Sequence, residues 1–60
     1  MTLVIVDYEN NKVLFNTEAV CVPNIGEPIK VEGEWYEVFK RVLSFKRAGN
    51  VCMLFVKRLK

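Results

Sequence analysis

From Trp35 to Leu59 the chain reads as two β-rich runs around one turn, and neither phase of their alternation is polar. Residues 35–46 and 51–59 are dense in Val, Leu and Phe, and Arg47-Ala48-Gly49-Asn50 between them has the composition of a tight turn. With a three-residue loop at 47–49, Lys46 stands opposite Asn50 and Leu43 opposite Met53. One face then carries Phe39, Arg41, Leu43, Phe45, Val51, Met53, Phe55 and Lys57. The other carries Val38, Lys40, Val42, Ser44, Lys46, Cys52, Leu54, Val56 and Arg58. A single-layer sheet on its own keeps one face wet. A hairpin apolar on both faces has to bend from one layer to another or be covered by a second subunit.

The first half supplies strands to pair with it. Leu3-Val4-Ile5-Val6 is short and β-branched, and it runs through Asp7-Tyr8 to a polar break at Glu9-Asn10-Asn11. Asparagine tolerates positive φ, so Asn10-Asn11 predicts a hairpin turn and Lys12-Val13-Leu14-Phe15 the returning strand. Residues 17–22 are β-rich again (Ala19, Val20, Cys21, Val22), as a strand of their own or as the second strand resumed after an irregularity at Asn16. Val22-Pro23-Asn24-Ile25-Gly26-Glu27-Pro28 holds two prolines and a glycine, which forbid a central strand and predict a fixed loop. Ile29-Lys30-Val31-Glu32 alternates apolar and charged, as a half-buried strand does. Glu32-Gly33-Glu34 then turns the chain into the long run from Trp35. No window places apolar residues at i, i+3, i+4 over helical length. The pattern predicts one all-β domain over residues 1–60, with about five antiparallel strands.

A chain of sixty residues has little interior. Domains of this size bury only about 60% of the surface that the unfolded chain exposes, yet 52% of these residues are hydrophobic. The surplus predicts self-association, at least as a dimer. A metal is not expected, because there is no histidine and Cys21 and Cys52 are the only thiols. The arithmetic allows one Cys21–Cys52 disulfide, but two isolated cysteines also suit a reducing compartment as small buried hydrophobes. Residues 1–6 lack the leader and cleavage site of a signal peptide, and no apolar stretch approaches the roughly 18 residues of a membrane helix. The expectation is a soluble, cytoplasmic protein with no membrane contact, metal or other cofactor.

Charge is spread unevenly along this frame. All seven acids (Asp7, Glu9, Glu18, Glu27, Glu32, Glu34, Glu37) precede residue 38, accompanied only by Lys12 and Lys30. Lys40, Arg41, Lys46, Arg47, Lys57, Arg58 and Lys60 follow it, so a net charge of +2 conceals an acidic half and a basic half. Catalysis has little to draw on: one serine (Ser44), no histidine, and no carboxylate pair in an apolar setting. Glu32, Glu34 and Glu37 read as solvated charges around the Gly33 turn, and no glycine cluster resembles a phosphate loop.

Two binding chemistries remain. The dyads Lys40-Arg41, Lys46-Arg47 and Lys57-Arg58, interleaved with Phe39, Phe45 and Phe55, match what a single-strand nucleic-acid surface uses. Alternation nevertheless sends the members of each dyad to opposite faces. In the other chemistry, the acidic and basic halves steer a charged protein partner, or a second copy, into register. Trp35-Tyr36, between Glu34 and Glu37, offers an aromatic anchor. Adjacent strand residues point opposite ways, so one of these rings belongs to the core, and both phases look apolar.

The stretch from Val22-Pro23-Asn24-Ile25-Gly26-Glu27-Pro28 through Ile29-Lys30-Val31-Glu32-Gly33-Glu34-Trp35-Tyr36-Glu37-Val38 resembles the centre of short SH3-like barrels. In those, a proline–hydrophobic–glycine–acid loop leads through a strand and a tight turn into a strand carrying an aromatic and then a valine. Very short free-standing versions resemble uncharacterised proteins encoded by bacteriophages and mobile elements. The resemblance implies a stoichiometric binder of a host or phage macromolecule rather than a catalyst. SH3-like peptide binders gather exposed aromatics near the first long loop, and here none lies between Phe15 and Trp35.

Residues and resemblance together lead to a small SH3-like barrel that self-associates and binds another protein without catalysis, as a phage-type regulator or inhibitor of a host factor does. Nucleic-acid binding by the basic C-terminal hairpin is the alternative. The expected partner contacts are Lys40, Arg41, Lys46, Arg47, Lys57 and Arg58 with Trp35 or Tyr36, chosen because interfaces favour Arg and aromatic anchors. Self-association is expected on Leu43, Phe45, Met53 and Phe55.

Overall fold

The computed structural model describes residues 1–19 and 21–59; Val20, within the β-rich run at 17–22, and Lys60, the last of the bases, lie outside them. Five strands form one sheet: β1 (Thr2–Asp7), β2 (Lys12–Glu18), β3 (Pro28–Val31), β4 (Glu34–Lys46) and β5 (Gly49–Arg58), in the order β2-β1-β5-β4-β3. The sheet curls into a half-barrel, with no helix among the described residues. The fold is all-β with five strands, as the sequence predicts, but the sheet is mixed. β1 and β5 run parallel, Thr2 beside Val51 through Asp7 beside Val56, while every other pair is antiparallel. Parallel neighbours need a long crossover, and here β2, β3 and β4 together provide it.

The core lies on the inner face. Leu3, Ile5, Val31, Tyr36, Val38, Cys52, Leu54 and Val56 form one buried cluster, with Leu14, Ala19, Val22 and Ile29 packed against it. Val38, Cys52, Leu54 and Val56 have no solvent exposure. These positions alternate along β1 and β5, which is why the central strands carry the most regular apolar pattern.

The turns follow local chemistry. Asp7 caps the first: its carboxylate accepts from the backbone N–H of Glu9 at 3.1 Å and from the Asn10 side-chain amide at 2.8 Å. Asn11 takes a φ of 51°, as asparagine tolerates. Glu32 and Gly33 join β3 to β4 with φ of 50° and 85°, both positive as a two-residue type I′ hairpin requires. In the predicted loop, the Asn24 N–H donates to the Glu27 carboxylate at 2.6 Å. Gly26 N–H donates to the Val38 carbonyl at 2.7 Å, and Val38 N–H donates to the Glu27 carbonyl at 3.1 Å. The loop is thus fastened to β4. Pro28 opens β3, an edge strand, where its missing N–H costs no ladder bond.

Three expectations change. Cys21 and Val22 belong to no strand; β2 ends at Glu18, and its irregularity lies where the register with β1 shifts, next to Leu14 rather than at Asn16. Lys46 pairs with Gly49, so the last turn is Arg47-Ala48 alone and Leu43 faces Cys52 instead of Met53. A bulge at Phe39 shifts the phase again, because Val38 pairs with Val56 but Lys40 pairs with Phe55. The four expected self-association residues therefore divide. Leu43 shares the inner side with Cys52, and Phe45 with Asn50, whereas Met53 and Phe55 lie outside with Val42 and Lys40.

Candidate interaction surface

β4 outruns its neighbour on one side. β3 pairs only with residues 34–37 and the loop binds Val38, whereas β5 pairs with β4 as far as Lys46. Among the described residues no backbone group pairs with the outer edge of residues 42–46. At the foot of this edge Arg41 Nη1 reaches the Asn24 side-chain oxygen at 3.5 Å. Beside it stand Leu43, 49% exposed, and Phe45, 74% exposed. Only the tip, residues 45–46 with 49–50, is two-stranded, because β1 already pairs with β5 from Val51 on. This β4–β5 arm projects from a molecule 38 Å long and about 20 Å across, and its inner side carries two apolar groups in water.

The charge asymmetry becomes spatial, but not by halves. Arg58 Nη2 donates to the Glu34 carboxylate at 2.7 Å, while Lys57 stands opposite Glu37 in the strand register without an ion pair. The acidic turn thereby neutralises Arg58 and sets an acid opposite Lys57. Lys40, Arg41, Lys46 and Arg47 have no carboxylate within ion-pair distance among the described residues. The arm keeps uncompensated positive charge, with Lys46 and Arg47 at its tip.

The remaining expected contact residues lie elsewhere. Tyr36 is buried in the core, and Trp35 is the exposed ring, with the Lys30 ammonium 5.9 Å from its centroid. Trp35 and Lys46 are eleven positions apart on one strand, about 35 Å at strand rise, so Trp35 and the arm cannot share a single small epitope. Lys57 and Arg58 lie toward the Trp35 end.

A second grouping involves Tyr8, which the sequence did not single out. On the outer face Tyr8 packs edge-to-face on Phe39 at 4.8 Å and on Phe55 at 6.5 Å. The Lys57 ammonium sits 5.0 Å from the Phe39 ring and 5.9 Å from Tyr8, and Lys40 sits 5.5 Å from Phe55. The signal for it is the bulge at Phe39, which turns that ring outward and which alternation alone does not announce.

Cys21 is exposed and Cys52 buried, both as free thiols. Asp7 is buried, and its carboxyl lies below the ordinary range, held there first by the Asn10 side-chain amide against the opposing effect of burial, and further by the backbone N–H groups of Asn10 and Glu9. No helix is long and apolar enough to cross a membrane, and no trio of metal-ligating side chains gathers among the described residues. No protein-family model matches the chain, and comparison with curated proteins and with solved structures gave no match.

Proposed function

We propose that this protein is a non-enzymatic binding module that acts by stoichiometric contact with another protein, and that the β4–β5 arm is its contact surface. The observation that carries this reading is Phe45, three-quarters exposed beside Leu43 on an unpaired strand edge flanked by unneutralised bases. An exposed aromatic next to free backbone is an aggregation hazard unless something covers it. Aromatic and Arg side chains are also the groups that interfaces concentrate. Blocking a host factor, as a phage-type regulator or inhibitor does, needs only such a surface.

Nucleic-acid binding is the second reading, favoured by the Tyr8, Phe39 and Phe55 rings with Lys40 and Lys57. It ranks lower because Phe39 and Phe55 are partly buried and already engaged edge-to-face with Tyr8, which leaves Tyr8 as the one well-exposed platform of these three rings.

A photo-crosslinking amino acid at position 45, in the cells that make the protein, separates the two. The expected product is a discrete protein adduct, resistant to nuclease and lost on charge reversal of Lys46 and Arg47. A nuclease-sensitive adduct, or none, would overturn the first reading.

A further inference from the structure

We infer that the occupant of the β4 edge is an extended acidic segment of the partner protein, added to the sheet as a sixth strand. This rests on the reading of the arm as the contact surface and names the chemistry that it takes. Residues 42–46 are extended, and their outer backbone groups are unpaired among the described residues. A strand laid there gains a hydrogen-bond ladder, while its side chains fall alternately inside and outside. Inside it would meet Arg41, Leu43 and Phe45; outside, Val42, Ser44 and Lys46. The complement is an apolar centre, opposite Val42, Leu43 and Phe45, with an acid at each end, opposite Arg41 and Lys46.

The same charges argue against a second copy. Antiparallel pairing of two β4 edges centred on Leu43 sets Lys40 of one copy against Lys46 of the other. Centred on Ser44, it sets Arg41 against Arg47. Like charges directly opposite destabilise a strand pair, and either register gathers four bases from each copy on one short seam. An acidic strand reverses the sign of every one of those contacts.

The probe is a terminally blocked hexapeptide, Glu-Val-Thr-Ile-Val-Glu, titrated into the isotope-labelled full chain while backbone amide resonances are followed. The expected result is saturable shifts centred on residues 42–46, weakened about tenfold or more when Lys46 and Arg47 are reversed to Glu. A peptide with both glutamates replaced by lysine should not bind. N-methylation of alternate peptide amides should abolish binding in one phase and spare it in the other, because only every second amide faces the sheet. Equal binding by both methylated forms or by the lysine peptide, or an absence of shifts at 42–46, would overturn the proposal. So would a dimer whose 42–46 amides are already protected without peptide. A protein adduct at position 45 alongside a failed titration would remove strand addition and leave the binding module standing. A nuclease-sensitive adduct would remove both.

Discussion

Asp7 is the one charged residue buried among the described ones, and it couples this fold to acidity. Its carboxyl titrates below the ordinary aspartate range in the folded chain, so between the folded and unfolded values the unfolded state binds more protons. The stability it contributes is full above the unfolded aspartate pKa and drains away as pH falls through the depressed value. Glu18 has the same sign, lowered by the Thr2 hydroxyl that donates to it at 2.8 Å and by the terminal ammonium. Urea midpoints should therefore fall on acidification below the ordinary aspartate range. Asp7→Asn should lower the midpoint at neutral pH and flatten that fall, leaving the share due to Glu18; an unchanged pH profile in the variant would place the acid sensitivity elsewhere. The sequence displayed Asp7 as a strand end before asparagines, which is turn chemistry. It did not show which of Trp35 and Tyr36 is buried. Both phases there are apolar, and the choice is made by long-range pairing of Ile29 with Tyr36.

Among the elements, the β3–β4 hairpin holds the most strained link. Glu32 sits at a φ of 50° without the tolerance of glycine or asparagine, and Gly33 at 85° has open space around its missing Cβ. A substitution at Gly33 is thus penalised through the backbone alone, and Gly33→Ala should cost about 1–2 kcal/mol in thermal or urea unfolding. Glu32→Asn should move the other way, by up to about 1 kcal/mol, since Asn-Gly is the preferred type I′ pair. A stabilised Gly33→Ala would contradict this backbone assignment. The strands themselves were legible because Pro, Gly and Asn punctuate them where the chain turns. Register was not: one residue fewer in the Arg47-Ala48 turn and one extra at Phe39 each reverse every face that follows. The arm's amphipathic character was misassigned for that reason, although its residues were all named.

At the scale of the whole molecule, four fully buried side chains carry a small core. A domain of this length has a total stability of about 3–9 kcal/mol. Leu54→Ala, at the centre of the middle strand, should cost about 2–5 kcal/mol and lower the melting temperature by at least about 8 °C by circular dichroism; a melting temperature near that of the parent would mean that the core is distributed differently. The uneven charge was visible in the sequence, but the contrast between an end where Glu34 holds Arg58 and an arm whose bases have no such partner among the described residues needed the Arg58–Glu34 contact to become apparent. The sheet order adds something else. β5 stands in the middle, between β1 and β4, yet it is the last of the five strands to be synthesised. Without β5 the sheet is two separate hairpins, β1–β2 and β3–β4, with no strand in common, and β1 and β4 each present a bare edge. Folding of this sheet therefore waits on one strand: docking of β5 is the step that makes a single body out of two ribbons.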